Sequence, residues 1–379
     1  MPELGTSVYL NAGDQPMANS LPPLVRARAF CDAFALRLPI LMAPMAGASP
    51  ASLAVAVANA GGLGGCGALL MKPEAIRAWA ADVRSQTNGS FQINLWIPDP
   101  APRRDSAHEE RVRAFLGQWG PAVAPEAGDV APINFVEQCE AMLDVGPATV
   151  SSIMGLYPSD IVARMKEKGV RWLANVTTVA EAREAVAAGA DVIVAQGMEA
   201  GGHRGSFDAE RSDTALIGLF ALLPAVVDAI GDRVPVVATG GIADARGIAA
   251  ALLLGASAVQ IGTGLLRTPE AKLAPAWADA IGKAQPEDTL PTRAFSGRLG
   301  RSVATAYVKA ANAPEAPKPA PYPVQRALSQ AMRDAATKTG NIDAMQAWAG
   351  QAARLATTEP AADLVRRLWS EAQALLTTR

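Results

Sequence analysis

The sequence predicts an α/β protein built as a parallel (β/α)8 TIM barrel with an added, mainly helical C-terminal domain. Eight short apolar runs alternate with segments that carry helix signals, and glycine-rich loops follow the last three runs. Buried parallel strands are near-continuous apolar runs, and this barrel needs eight of them. An open doubly wound sheet is the alternative, but eight regular units favour closure. The expected strands are residues 38–43, 62–66, 91–97, 149–154, 171–176, 192–194, 234–239 and 257–261.

Helix signals stand between these strands. Ser49 is placed to cap a helix whose first residue is Pro50, and Gly61 follows as its end. Further along, Thr178 and Glu181 form a capping-box pattern at the start of another helix. These signals give the alternation of strand and helix that a βα barrel requires.

The chain divides into three expected parts. Residues 1–37 are mixed in character and are expected to form an N-terminal arm. Residues 38–268 contain all eight strands and form the barrel, and residues 269–379 form the C-terminal helical domain. A proline-rich stretch, 312–323, is expected to be an extended linker or lid.

Composition restricts the partners and the compartment. The net charge of −2, without a long basic run, argues against nucleic acid as a partner. Cys31, Cys66 and Cys139 lack the spacing of a metal or disulfide site, and the N-terminus lacks signal-peptide features, so we expect a cytoplasmic location. The longest apolar stretch, 248–266, is interrupted by glycine and polar residues, so no membrane span is expected.

The stretch 191–207 contains the strongest candidate for chemistry. Its β-branched strand runs into a loop that holds four glycines within nine residues, and His203 lies in that loop. Catalytic groups gather at the carboxyl ends of barrel strands, and glycine lets the backbone approach a ligand closely. His203 is therefore predicted to be the catalytic residue. The alternative is a surface histidine in a flexible loop.

Two further glycine loops predict a phosphate site. In such barrels the loops after strands seven and eight frequently hold a phosphate through backbone N–H groups. Here these loops contain Gly240 and Gly241, and then the run Gln260, Ile261, Gly262 and Thr263. Both loops are uncharged, which suits an anion bound by backbone dipoles. The alternative is that these glycines are only turn residues.

Other polar and glycine patterns are less specific. The run 62–67 matches G-x-G-x-x-G, but it follows a helix and lies around a strand, which is the wrong context for a dinucleotide site. Asn94 within the third strand needs a partner, which is either a ligand or neighbouring backbone. Gln196 ends the sixth strand, seven positions before His203. With two histidines and no carboxylate cluster, no metal site is expected.

Five motifs together carry a family resemblance. They are residues 38–47 (LPILMAPMAG), 195–205 (AQGMEAGGHRG), 237–244 (VATGGIAD), 260–263 (QIGT) and 345–351 (MQAWAGQ). The combination resembles the nitronate monooxygenases, formerly called 2-nitropropane dioxygenases, and the last motif is similar to one of their class I members. The resemblance implies a barrel that binds FMN and a C-terminal domain that closes over the flavin.

The resemblance also implies roles for individual residues. His203 would be catalytic and would lie beside the substrate, while Gly241 and residues 260–263 would hold the ribityl phosphate. Tyr322 matches a tyrosine of the family's C-terminal region. The cofactor-binding set is Met45, Ala46, Asn94, Gln196, Gly201, Gly202, Gly240, Gly241, Gln260, Ile261, Gly262 and Thr263.

Three functions are compatible with these residues. The first is a nitronate monooxygenase, which oxidises alkyl nitronates with O2 to carbonyl compounds and nitrite, as a monomer or homodimer. The second is a flavin-dependent enoyl-thioester reductase, which has a similar Gly-Gly-His loop and needs NAD(P)H. The third is a flavin-binding protein without catalysis, in which His203 would have no purpose. Gln196 and the Trp-Ala-Gly-Gln run that begins at Trp348 favour the first.

Overall fold

A computed structural model describes residues 21–377 and confirms the predicted parallel barrel. The strands are β1 (Ile40–Met42), β2 (Gly64–Gly67), β3 (Phe91–Trp96), β4 (Thr149–Ile153), β5 (Arg171–Val176), β6 (Val192–Gln196), β7 (Gly202–His203), β8 (Val236–Thr239), β9 (Ala258–Ile261), β10 (Thr289–Thr292) and β11 (Gly300–Val303). The helices are α1 (Pro23–Phe34), α2 (Ala51–Ala60), α3 (Pro73–Gln86), α4 (Ser106–Leu116), α5 (Phe135–Val145), α6 (Ser159–Glu167), α7 (Val179–Ala187), α8 (Leu219–Ile230), α9 (Ala245–Leu253), α10 (Pro275–Lys283), α11 (Ala306–Ala311), α12 (Val324–Leu328), α13 (Gln330–Thr339) and α14 (Ala361–Thr377).

The barrel sheet contains eight parallel strands in the order β1-β9-β8-β6-β5-β4-β3-β2. A parallel bridge between Leu41 and Leu63 joins its two ends. There the N–H of Met42 donates to the carbonyl of Leu63 at 2.8 Å, and the N–H of Leu63 donates to the carbonyl of Ile40 at 3.1 Å. These bonds close the sheet and exclude the open doubly wound alternative.

Helix α1 closes the barrel interior at one end. Its Phe30 and Phe34 rings stack with centroids 4.6 Å apart and pack on inward-facing strand residues such as Leu173 and Val237. Apolar burial of this kind is the main stabilising term in a fold. The expected N-terminal arm, 1–37, thus contains a packed helix, while its first twenty residues lie outside the described range.

Of the two N-cap residues predicted from the sequence, Thr178 caps its helix and Ser49 does not. Thr178 caps α7 by accepting from the N–H of Glu181. Ser49 does not cap α2, because Pro50 occupies the N-cap position and receives no side-chain bond. The Ser49 hydroxyl instead contacts the backbone N and O of Met45, each at 2.7 Å, and holds the loop after β1.

The segment between β9 and α14 covers one end of the barrel. It contains α10–α13 and the strands β10 and β11, which pair with β7 in a small antiparallel sheet that the sequence did not predict. Pro291 and Arg301 interrupt any apolar alternation in these short strands. Helix α14 then packs against α2 and α9 and joins the main hydrophobic core.

The three cysteines are buried free thiols. Burial raises the pKa of Cys31, Cys66 and Cys139 to about 12. Thiols this weakly acidic are poor nucleophiles, so none of them is a candidate for covalent catalysis. Within residues 21–377, no helix has both the length and the apolar character needed to cross a bilayer.

Candidate active site

A cavity of about 530 Å³ lies at the carboxyl ends of the barrel strands. All but one of the residues predicted from the sequence line it, and the exception is Ile261, whose side chain lies in the hydrophobic core. Side chains alternate across a strand, so Gln260 faces the cavity while its neighbour Ile261 faces the surrounding helices. The lining residues among those predicted are Met45, Ala46, Asn94, Gln196, Gly201, Gly202, His203, Gly240, Gly241, Gln260, Gly262 and Thr263.

One side of the cavity is a cradle of backbone N–H groups. Within the described chain, the N–H groups of Gly240, Gly241, Gly262 and Thr263 donate to no protein group. Gly240 and Gly241 have φ of +109° and +71°, which residues with a side chain rarely adopt. Unpaired backbone donors at two adjacent strand ends are available to an anion such as a phosphate. We call these four residues the N–H cradle.

The C-terminal run 348–351 docks against this cradle. The N–H of Gly350 donates to the Thr263 hydroxyl at 3.0 Å, and the N–H of Gln351 donates to the carbonyl of Glu199 at 2.9 Å. A Cβ on Gly201 would lie 2.4 Å from the N of Gly350, so the two backbones meet without space for a side chain. Gly201 and Gly350 are thus explained by the close approach of the cover to the His203 loop.

His203 also lines the cavity and lies on the short strand β7. Its Nε2 is 2.7 Å from the Ser296 hydroxyl, and its ring contacts Trp96 and Trp348 with centroids 4.8 and 4.9 Å apart. The Gln196 amide donates to the carbonyl of His203 at 3.1 Å and accepts from the N–H of Gly205 at 2.7 Å. Gln196 therefore lines the cavity and also holds the loop in place.

The environment of His203 keeps its imidazole neutral. Desolvation is the main cause that lowers its pKa to about 3, and Arg326, Arg298 and Arg333 add positive charge that acts in the same direction. A neutral ring has one nitrogen that donates and one that accepts. His203 can therefore exchange hydrogen bonds with a ligand without carrying a charge of its own.

Buried amides line the floor of the cavity. The Nδ2 of Asn94 donates to the Ser151 hydroxyl at 3.0 Å, so its donor already has a protein partner. Asn175 also lines the cavity, and its buried Nδ2 has no partner among the described residues. An orphaned buried donor indicates a bound group that completes it. Asn175 was not predicted, although an amide within the fifth strand is the same signal that singled out Asn94.

Aromatic side chains from distant segments form the wall around His203. Trp96 ends β3, Trp348 lies in the cover, and Tyr322 stacks on Trp96 with centroids 4.7 Å apart and planes 14° apart. The sequence motifs pointed to Tyr322 and to the run that holds Trp348, but nothing tied either to Trp96. These rings narrow the cavity beside the imidazole.

Two arginines add positive charge to the same side. Arg333 donates to the Ser329 hydroxyl, to Gln346, to Gln330 and to the carbonyl of Arg326. The half-buried guanidinium of Arg326 also lines the cavity but has no hydrogen bond or ion pair with any described residue. Arg326 is therefore free to bind an anion. Neither arginine was predicted, because nothing in the sequence shows that this helix pair faces the barrel.

Within residues 21–377, no group of three or more His, Cys, Asp or Glu side chains could hold a metal ion. The features present are a cofactor-sized cavity at the carboxyl ends of an eight-stranded barrel, an N–H cradle and a histidine. Together they define a barrel of the kind that binds a phosphate-bearing cofactor for catalysis.

Comparisons with known proteins identify the family. Residues 28–371 match the family model described as nitronate monooxygenase. The chain is 39% identical over 350 residues to a nitronate monooxygenase of Paraburkholderia phytofirmans, covering 91% of this chain and 94% of the relative. It is 40% identical over 342 residues to a nitronate monooxygenase of Pseudomonas aeruginosa, covering 89% and 96%.

A solved structure supports the same assignment. The nitroalkane oxidase from Streptomyces ansochromogenes superposes with a TM-score of 0.81 at 35% identity, covering 90% of this chain and 98% of that one. The chain belongs to the nitronate monooxygenase family, which places it among the oxidoreductases. The resemblance predicted from the five sequence motifs is thereby confirmed.

Proposed function

We propose that this protein is an FMN-dependent nitronate monooxygenase, which oxidises alkyl nitronates with O2 to carbonyl compounds and nitrite. The observation that carries the proposal is one cavity lined both by an N–H cradle and by a neutral His203 near a free Arg326 guanidinium. The cradle suits a cofactor phosphate, and the guanidinium suits a small anion.

The residues around the cavity fit FMN. The N–H cradle would hold the ribityl phosphate, since four unpaired donors and two positive-φ glycines suit an anion that carries three acceptor oxygens. The unpartnered Nδ2 of Asn175 would be completed by a carbonyl or ring nitrogen. Met45, Ala46 and Gln260 would line the flavin. When bound, FMN would supply the electron transfer that connects the substrate with O2.

The side chains around His203 would bind and orient the nitronate. A nitronate is already deprotonated, so the positive field of Arg326 and Arg333 would favour it over the neutral nitroalkane. Trp96, Trp348 and Tyr322 would exclude water from the reacting carbon. His203, held neutral, would accept a proton only from a substrate that still has one to lose.

The runner-up, an enoyl-thioester reductase, requires a site for a nicotinamide. The G-x-G-x-x-G run at 62–67 ends in β2, within the barrel wall, and opens no helix. It is therefore accounted for by tight packing: a Cβ on Gly65 would lie 2.6 Å from the carbonyl oxygen of Met42, and one on Gly67 would lie 2.4 Å from the N of Ala46. No other pattern in the sequence favours NAD(P)H. A cytoplasmic monomer or homodimer remains our prediction for the setting of the enzyme.

The source of electrons separates the two enzymes. We expect the purified protein to be yellow, and anaerobic mixing with an alkyl nitronate to bleach the flavin absorbance within the time of turnover. NADH and NADPH should bleach it slowly or not at all. Fast bleaching by a nicotinamide and none by the nitronate would reverse the assignment in favour of the reductase.

A further inference from the structure

A buried hydroxyl lies directly behind the ring of His203. Ser296 is fully buried, and its Oγ makes three contacts: His203 Nε2 at 2.7 Å, the carbonyl oxygen of Arg298 at 3.2 Å and the N–H of Arg298 at 3.3 Å. The other ring nitrogen, Nδ1, has no partner among the described residues, and the side chain lines the cavity. One nitrogen is thus engaged by the protein and the other is left for a ligand.

The three contacts of Ser296 admit one arrangement of protons. A hydroxyl offers one donor and two acceptor lone pairs. The N–H of Arg298 takes one lone pair, and the carbonyl of Arg298 takes the proton, so the remaining lone pair faces His203 Nε2. If the hydroxyl donated to Nε2 instead, its oxygen would face the Arg298 carbonyl oxygen with no proton between two buried acceptors, which is costly.

We infer that Ser296 is a positioning residue that fixes the tautomer of His203, with the proton on Nε2 and the lone pair of Nδ1 facing the cavity. Neither the fold nor the family assignment specifies which nitrogen carries the proton, and the inference identifies the nitrogen that would accept a proton from a neutral nitroalkane. It rests on the proposed function only for the role of that acceptor in turnover.

The position of Ser296 is itself fixed by an ion pair between a buried arginine and a partly buried aspartate. The Arg298 side chain is 2% exposed and binds Asp99, in the loop after β3, through two bonds of 3.0 and 2.8 Å. Bidentate pairs of this kind restrict geometry as well as charge. Arg298 therefore anchors the turn that contains Ser296 to the barrel. The same ion pair holds in place the N–H and carbonyl of Arg298, which orient the Ser296 hydroxyl.

The assigned tautomer has a consequence for substrate binding. A lone pair on Nδ1 repels the oxygen of a nitronate anion but accepts a proton from the α-carbon of a neutral nitroalkane. The nitronate must then be held by other donors, for which the Arg326 guanidinium is available. His203 would thus accept a proton from the neutral nitroalkane, and Arg326 would bind the nitronate anion.

Nitrogen NMR of the protein as purified tests the tautomer without any substrate. The chain has only two histidines, so 15N-labelled histidine gives two imidazole signal sets, and His203→Asn identifies which set belongs to His203. We expect wild-type His203 to show a protonated Nε2 and an unprotonated Nδ1. Ser296→Ala should move the two nitrogen shifts towards averaged values, and Ser296→Thr, which keeps the hydroxyl, should restore them.

A matched control removes another buried hydroxyl of the same cover. Thr305 is 6% exposed and caps α11, away from the cavity lining, so Thr305→Ala should leave the His203 signals unchanged. A wild-type spectrum with the proton on Nδ1, or signals that do not respond to Ser296→Ala, would overturn the inference. The wild-type spectrum decides the tautomer even if the alanine variant does not fold.

Kinetics give a second readout. A lost hydrogen bond of ordinary strength corresponds to roughly a tenfold change, so Ser296→Ala should lower kcat/KM for a neutral nitroalkane about tenfold. Turnover of the preformed nitronate should change much less. Equal losses on both substrates would overturn the positioning role. If neither substrate is turned over by wild type, the proposed function fails, while the NMR result still decides the tautomer.

Discussion

Two parts of the cavity lining are built from different materials. The N–H cradle is backbone, lies at the ends of two neighbouring strands, and depends on glycine. The other part of the lining consists of side chains from segments far apart in the chain, namely His203, Trp96, Trp348 and Arg326, and Tyr322 stacks on Trp96. A backbone site tolerates few residue types and so leaves a pattern in the sequence. A side-chain site needs only that the fold bring its members together.

Because the N–H cradle is expected to bind a phosphate, a negative charge introduced there should reduce flavin binding more than any other change considered. A carboxylate introduced by Gly262→Asp, about 4 Å from a phosphate, would cost roughly 4 kcal/mol at an effective dielectric constant of 20. We therefore expect flavin affinity to fall several hundredfold, measured as the flavin-to-protein ratio after dialysis against known FMN concentrations.

Gly262→Ala is the matched control for size. Its Cβ would lie 3.2 Å from the Cβ of Ala43 and 3.4 Å from the sulfur of Met45, which small shifts accommodate. The alanine variant should retain most of its flavin. Similar depletion in both variants would show that space, and not charge, limits the cradle. Release of FAD, or of no flavin, from wild type would contradict FMN as the cofactor.

On the side-chain half, His203→Ala should separate the two forms of the substrate. General base catalysis contributes at least about a hundredfold, so turnover of a neutral nitroalkane should fall by roughly that factor while the flavin stays bound. Turnover of the nitronate, which has no α-proton to lose, should fall much less. Equal losses in steady-state assays of both substrates would favour simple positioning of the anion.

The lowered pKa of His203 also predicts how the turnover of a neutral nitroalkane responds to pH. With a pKa of about 3, the imidazole is already neutral at pH 5 and remains so at pH 8. Acidification over this range therefore does not protonate the base, and wild-type nitroalkane turnover should show no loss assigned to His203. A loss with a midpoint near 6.5 that disappears in His203→Ala would contradict this environment.

The smallest effect is expected when the free guanidinium of Arg326 is removed. Because the Arg326 guanidinium makes no hydrogen bond or ion pair with any described residue, Arg326→Gln should cost little stability. Loss of one charge-assisted hydrogen bond corresponds to about tenfold, so KM for the nitronate should rise by roughly that factor with kcat little changed. Arg366→Gln, on the exposed face of α14, is the control for net charge and should leave KM unchanged. If wild type, Arg326→Gln and Arg366→Gln have the same KM for the nitronate, Arg326 does not bind the substrate.

The same contrast explains what the sequence could predict. The eight strands were predictable because buried parallel strands are continuous apolar runs, and the cradle because Gly240 and Gly241 end one of them. Asn175 could have been predicted by the reasoning that singled out Asn94, because both are amides within buried strands. Ser296 and Arg326 were not, because a serine in a turn and an arginine on a short helix carry no local signal. The small sheet in the cover was missed because its strands are short and interrupted by Pro291.

The position of α14 has a consequence for the order in which the protein is made. Its buried residues, among them Leu364, Val365 and Leu368, complete the main core between α2 and α9, yet they are synthesised after the whole cover. The barrel therefore gains this helix only after the cover has been synthesised. A chain that stops before residue 361 would carry a full cover over a barrel whose flank is open, and that exposed apolar groove would favour aggregation.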